Sequence, residues 1–345
     1  MELSIVIPTL NRSASLKKTL QSITGQQPAN RQYEVIVVDN GSTDNTQEVC
    51  GYFKKQITNF IYCYDDEPGQ LTGRHKGTEL SKANIISFID DDVEVNPYWI
   101  NSIIQLFADN ESISIIGGPC LPKYQLYPPS WVSYFWQPTP YGGNMCLPLS
   151  LVDIGCSKLE IDPLYVFGLN YSIRKKSLLD LGGFHPDCIP EQLQKYQGDG
   201  ETGLSIKAKN HNYKALYAAS ALLYHQVPPE RLTTEYFEKW YYYNGVCQSF
   251  TDIRSENKLH SSNGEHEVTT GLITRVANRT GNILRKAIQK NLRKLPGNII
   301  KLQSCFRSKY NEGYQFHQHN YRTDESVRDW VLRKDYWNYK LPGVI

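Results

Sequence analysis

The chain reads as an α/β protein, a mostly parallel open sheet flanked by helices and followed by a helical C-terminal extension. Three observations predict this. Short β-branched runs alternate with segments of helical spacing over residues 1 to about 118, which implies βαβ units with right-handed crossovers. From Pro119 to Pro163 the text turns to proline, tyrosine and tryptophan with little periodicity. Apolar residues at helical spacing return between Ile273 and Leu295.

Leu3 to Ile7, ended by Pro8, and Tyr33 to Val38 read as buried strands. Between them Leu16, Leu20 and Ile23 recur at helical spacing after Ser13 and Ser15, either of which can cap the helix. Asp44 with Gln47 opens a second helix to about Lys55. Phe60 to Tyr64 is a third strand, Leu71 to Lys82 a helix and Ile85 to Ile89 a fourth strand. Asn96-Pro97 caps a helix to about Ala108, and Ser112 to Ile116 is a fifth strand. So long a loop as 119–163 inside a compact unit is functional or hides short elements. Order resumes at Val166 to Ile173, in helices at Lys175 to Leu181 and Glu201 to Lys209, and in strand-like text from Tyr213 to Tyr224.

At 345 residues the chain has room for two structural units at roughly 150 residues each. With 40% hydrophobic and 21% charged residues it is a folded protein rather than a disordered one, and no apolar run reaches the roughly 18 residues of a membrane span. Its net charge of +2 argues against a nucleic-acid protein held by bulk charge. The eight scattered cysteines form no Cys-x-x-Cys pair and read as idle thiols rather than a zinc site. The first residues lack a basic n-region, and Pro8 breaks the apolar stretch, so a cytoplasmic protein is expected.

In an open α/β sheet ligands bind outside the carboxyl ends of the strands. The fourth strand ends in Asp90-Asp91-Asp92. Residues i and i+2 of an extended chain share a side, so Asp90 and Asp92 can face one ligand while Asp91 faces elsewhere. Adjacent carboxylates repel, and Mg²⁺ or Mn²⁺ held by one or two of them plus substrate phosphate would neutralise the cluster. The bland reading, an acidic helix cap, is weakened because Asn96 already supplies one. The second strand ends in Asp39-Asn40-Gly41, where Asp39 can accept from a base N–H or a ribose hydroxyl, or serve only as an Asx-turn acceptor.

Ser4 to Arg12 (SIVIPTLNR), Glu34 to Asp44 (EVIVVDNGSTD) and Phe88 to Asp92 (FIDDD), in that order and each at a strand end, resemble the family 2 glycosyltransferases, inverting enzymes of the GT-A fold. The similarity covers roughly residues 1 to 240, taken as a catalytic domain with a nucleotide-binding half (1–118) and an acceptor-side half (119–240). The resemblance implies that Pro8, Thr9 and Asn11 line the nucleotide pocket, that Asp39 holds the base, and that Arg74 lies near base and diphosphate. It implies that Asp90 and Asp92 bind metal, ribose and diphosphate, with Asp91 beside them on the cofactor side. Leu10 stands where many relatives carry an aromatic residue. Gly182 to Asp187 and Gly198 to Leu204 resemble the acceptor-side segment whose acidic motif supplies the general base. Here the usual Glu-Asp pair is replaced by Asp199-Gly200-Glu201, leaving Glu201 first and Asp199 second; either could instead cap the helix. The formal G-x-G-x-x-G from Gly198 to Gly203 follows no strand and is not a dinucleotide site. Ala221 to Arg231 resembles the closing strand and histidine, with His225 a metal or diphosphate contact or a structural side chain. The implied partners are a nucleotide-sugar donor, a UDP-sugar foremost, and a glycan or lipid-linked acceptor. A nucleotidyltransferase would carry a glycine-rich loop after the first strand, which Pro8 to Arg12 lacks; a non-catalytic sugar-nucleotide binder is a third reading.

The near-neutral total conceals an uneven distribution. Ten basic and no acidic residues lie between Val268 and Asn311, so +2 less +10 leaves −8 for the rest. Residues 272–309 read as a basic amphipathic helix on an anionic membrane surface, peripheral on the inner face of the cell membrane, or as a helix packed on the domain. No nucleic acid is expected, because no binding module accompanies the charge. The aromatic run from Tyr124 to Tyr141 could stack on sugars, belong to the core or face a membrane.

Overall fold

The computed structural model describes residues 1–27, 30–155, 158–260, 295–337 and 340–342. The first part alternates as expected through β1 (Leu3–Thr9), α1 (Ser13–Thr24), β2 (Tyr33–Asp39), α2 (Thr46–Phe53), β3 (Phe60–Tyr64), α3 (Gln70–Leu80) and β4 (Ile85–Ile89). A short β5 (Val93–Val95), α4 (Trp99–Asp109) and β6 (Ile113–Gly117) follow. The aromatic stretch then contributes β7 (Cys120–Tyr124), β8 (Gln137–Pro138), β9 (Asn144–Cys146), β10 (Leu151–Asp153) and β11 (Lys158–Ile161). The rest is β12 (Asn170–Arg174), α5 (Lys175–Asp180), α6 (Gly200–Asn210), β13 (Lys214–Ala218), β14 (Leu223–Val227), α7 (Thr234–Glu256), α8 (Gly297–Thr323) and α9 (Glu325–Val331).

Eight strands form the main sheet in the order β11, β13, β6, β12, β4, β1, β2, β3. β1 runs parallel to β2 and β4, β2 to β3, and β13 to β6, while β12 lies antiparallel between β4 and β6. β1 is buried along its whole length, which is why it reads as a continuous apolar run. A second sheet has the order β5, β14, β7, β10, β9, β8. Four of its strands come from the stretch expected as a loop; at two to five residues they are too short to show alternation. The strand-like run from Tyr213 to Tyr224 splits into β13 and β14, one in each sheet.

The expected boundary at residue 240 falls inside α7. Val327, Trp330, Val331, Tyr336 and Leu341 join the core cluster that contains β1, β2 and β4. Phe135, Phe237 and Phe306 pack with the second sheet, and Trp131 lies against them, so part of the aromatic run is core. α7 and α8 approach closely at Gly245 and Gly313, where a Cβ would stand 2.0 Å from the carbonyl oxygens of Tyr310 and Tyr242. Of the basic segment, Arg275 to Lys294 lies outside the described residues, as does the apolar stripe from Ile273 to Leu292. Lys301 and Arg307 are exposed on α8, and Lys309 pairs with Glu312 at 2.9 Å. No described helix is long and apolar enough to cross a membrane.

Candidate functional site

The parallel strands β1, β2 and β4 end at one edge of the main sheet, and their tips carry the acidic residues. β4 stops at Ile89, so residues 90–92 leave the sheet as a turn, and two-residue alternation no longer governs them. The expected pairing of Asp90 with Asp92 is accordingly replaced. Asp91 and Asp92 share Arg12, whose two terminal nitrogens lie 3.0 Å from Asp91 Oδ1 and 2.6 Å from Asp92 Oδ2. Asp91 also accepts from the Thr9 hydroxyl at 2.7 Å. Asp90 turns the other way, accepting from Gln70 Nε2 at 2.8 Å and facing Arg74 at 3.6 Å.

Asp92 is surrounded by cations. Arg231 reaches its Oδ2 at 2.8 Å, and His225 Nε2 lies 3.3 Å away. The Leu149 carbonyl can only accept, so His225 Nδ1 carries the proton that bonds it at 2.8 Å. Nε2 stands between Arg231, at 2.6 Å, and Asp92. Burial pushes the Asp92 carboxyl up, but His225, Arg231 and Arg12 together hold it well below the usual range. Burial raises Asp91 to about 7 despite Arg12, and raises Asp90 against Arg74.

Arg74, on α3, is 2% exposed and meets three carboxylates from three parts of the chain. Its terminal nitrogens lie 3.6 Å from Asp90, 3.4 Å from Asp187 and 3.5 Å from Glu201, and its guanidinium sits 5.0 Å over the Phe184 ring. Gly168 leaves the space: a Cβ there would come within 2.8 Å of both the guanidinium and the Glu201 carboxylate. The Gly168 N–H donates to Glu201 Oε1 at 3.2 Å. Burial alone would lower the Arg74 pKa, yet Asp187, Glu201 and Asp90 hold it above its ordinary value. Asp187 is raised to about 7 by burial, with Arg74 opposing. Arg74, expected beside a base and diphosphate, contacts these three carboxylates.

The two candidate bases separate sharply. The Glu201 side chain, in the first turn of α6, is 34% exposed at the triad. Asp199 is 5% exposed, with Oδ1 2.6 Å from His185 Nδ1 and Oδ2 accepting from the Thr251 hydroxyl at 2.6 Å. It anchors a buried layer beneath the site and makes no side-chain cap to α6. Asp39 is 1% exposed; its oxygens accept from Ser42 N and the Tyr62 hydroxyl, both at 2.8 Å. Pro8 and Thr9 are buried at the tip of β1, and exposed Asn11 accepts from Thr43 N at 2.7 Å. Neither Ser13 nor Ser15 caps α1; the Ser13 N–H bonds Asp44, which also holds Thr46 at the start of α2. Against a burial penalty, these bonds lower the Asp44 carboxyl to about 2.

Arg12, Arg231 and Asp187 carry no role in the sequence reading. All three stand inside recognisable segments, but their partners are 80 to 139 residues away, and no local signal reports such pairs. Among the described residues no three His, Cys, Asp or Glu side chains form a metal-holding group. The donor set nevertheless fits a hard divalent cation that takes one or two carboxylates and completes its shell with diphosphate oxygens. Asp92 Oδ1 is buried without a partner, and the Asp90 side chain is 28% exposed.

Residues 4–159 match the model of the family described as Glycosyl transferase family 2. Validoxylamine A glucosyltransferase of Streptomyces hygroscopicus subsp. jinggangensis is 28% identical over 200 residues, 54% of this chain and 47% of that enzyme. Glucosyl-dolichyl phosphate glucuronosyltransferase of Haloferax volcanii is 22% identical over 235 residues, 62% of this chain and 69% of that one. The chain thus spans about half the length of the first of these relatives. The mannosyltransferase PcManGT of Pyrobaculum calidifontis, solved with GDP-Man and Mn²⁺, superposes with a TM-score of 0.56 over 94% of this chain and 88% of that one, at 13% identity. The mixed sheet flanked by helices is that of the GT-A glycosyltransferases.

Proposed function

We propose that the chain is a glycosyltransferase that moves a sugar from a nucleotide-sugar donor to an acceptor hydroxyl with inversion. The observation that carries this is the Arg74 triad, which ties Asp90, at the acidic strand end, to Glu201 on a separate helix. A displacement needs its leaving group and its base on opposite sides of one carbon, held at a constant separation. A buried guanidinium with a carboxylate on each branch is a rigid spacer for that purpose.

Glu201 takes the proton of the acceptor hydroxyl, with the Gly168 N–H and Arg74 setting the direction of its free lone pairs. Asp92, through its unpartnered Oδ1, would hold Mg²⁺ or Mn²⁺ with diphosphate oxygens completing the shell, and the ion would stabilise the departing diphosphate. Arg12 and Arg231 stand beside Asp92 as cations for the same oxygens. Asp39, at the tip of β2, has lone pairs left for a base or ribose once Ser42 and Tyr62 are served. The first donor class to test is UDP-sugars, with a glycan or lipid-linked acceptor; residues 272–309 would bring the enzyme to an anionic membrane surface.

The decisive measurement is nucleoside diphosphate release with Mn²⁺ across a panel of donors and cell-derived acceptors. Glu201→Gln should lose about 10²- to 10⁴-fold in kcat, the usual worth of a positioned base. Asp199→Asn should retain the turnover of whatever fraction folds. Full activity of Glu201→Gln, or full activity in a chelator, overturns the mechanism.

A further inference from the structure

A groove outside the reaction centre runs across the second sheet. One part, about 600 Å³, lies between α1 and the sheet, with Gln21 on the helix side and Lys123 and Gln226 on the strands. The next part, about 550 Å³, is walled by Tyr124, Tyr127 and Trp136. Tyr124 and Gln125 line both parts, which places the two side by side. Both volumes fall in the range of ligand sites, roughly 300–1,000 Å³.

Two features of the lining need a ligand. Gln226 is 3% exposed, yet its amide nitrogen, a donor of two hydrogen bonds, has no partner. An unmet buried donor costs about 1–3 kcal/mol, so a polar acceptor in the groove would be bound at this point. Tyr127 is 95% exposed and Leu126 60%, at the rim of the aromatic part. Alternation along β14 connects the groove to the reaction centre: His225 faces Asp92, and the next residue, Gln226, lines the groove while its backbone N–H donates to the Asp92 carbonyl at 2.8 Å.

We propose that this groove binds an extended carbohydrate chain as a second saccharide site, separate from the reaction centre. Sugar rings carry C–H faces that pack on the electron-rich faces of Tyr124, Tyr127 and Trp136. Their hydroxyls serve as both donors and acceptors, which suits the amides of Gln21, Gln125 and Gln226. A lipid surface fits poorly: the amides and the Lys123–Glu94 pair would be desolvated with no compensating bond. The site goes beyond sugar transfer and does not depend on it.

The test is titration of the full chain with chitohexaose, maltohexaose, cellohexaose and a hyaluronan hexasaccharide, followed by tryptophan fluorescence and calorimetry. At least one should bind, and Tyr127→Ala and Gln226→Leu should each weaken it by about tenfold or more. Tyr127→Ala should leave nucleoside diphosphate release with a short acceptor unchanged, which separates this site from the transfer reaction. The proposal is overturned if none of the four saccharides binds, or if binding is the same in both variants. Tyr127-dependent sedimentation with phosphatidylglycerol vesicles, without saccharide binding, overturns it in favour of lipid.

Discussion

Arg74 concentrates the chemistry of the site in one side chain. A lysine keeps the charge as a point and loses the fork that spans three carboxylates. Arg74→Lys should therefore lower kcat by about tenfold or more while the donor KM changes little, because the spacing between base and leaving group loosens and the donor contacts remain. Arg74→Gln removes the charge as well, which makes every neighbouring carboxylate harder to ionise, so the acidic limb of its pH–rate profile should move to higher pH. Asp187 is a second handle. Its carboxyl is raised from 3.8 to about 7 by burial, so its stabilising effect is complete below pH 3.8 and is lost as pH rises to about 7. The stability of wild type relative to Asp187→Asn should fall over that window by up to about 1.4 kcal/mol per pH unit, read by urea unfolding at pH 5 and 7.5.

At the scale of elements, the site depends on how helices are pinned to the sheets. His75 on α3 donates from Nδ1 to the Tyr336 carbonyl at 3.2 Å, accepts from the Phe184 N–H at 3.0 Å and stacks on Trp337 at 3.9 Å. Only the neutral ring can do both, and burial lowers its pKa to about 3. The stability it provides is full above the unfolded value of 6.5 and is lost as pH falls through that window toward 3. His75→Gln should therefore cost less at pH 5 than at pH 7.5, as measured by unfolding of both proteins. The α7–α8 crossing is set by Gly245 and Gly313, where backbones nearly touch. Either glycine to alanine should destabilise by about 1–3 kcal/mol, the usual range for overpacking, with a lower denaturation midpoint.

Across the whole molecule, the described residues of α8, α9 and the segment up to Leu341 pack into the same cores as the two sheets. Trp330 donates from its indole to the Tyr196 carbonyl at 2.7 Å, and Arg254 donates to the carbonyls of Val331 and Arg333. The first ties the C-terminal helices to the segment that precedes Glu201, and the second ties them to α7. Cutting the chain after residue 240 would split α7 and expose the apolar faces of Phe135, Phe237 and the second sheet. Such a truncation should lose cooperative unfolding and bind an apolar dye; a soluble, cooperative 1–240 fragment would contradict this.

Across residues 1 to about 118, periodicity and punctuation in the text were sufficient to find the main strands and helices. The alternation from β1 to β6, the acidic strand ends at Asp39 and Asp90 to Asp92, and the carboxylate segment around Glu201 are all legible because each is local. The second sheet was illegible because strands of two to five residues carry no measurable period. The turn at Asp90 to Asp92 escaped because a strand's end is a matter of pairing rather than of residue type. Only the tertiary structure distinguishes the surroundings of Glu201 and Asp199, since the two share one helix start and differ in what lies over them. Thr251 and His185 close over Asp199, whereas Gly168 leaves Glu201 open beside Arg74. The residue types of the site were thus determined along the chain, and their surroundings by burial, which depends on contacts between residues 14 to 127 positions apart.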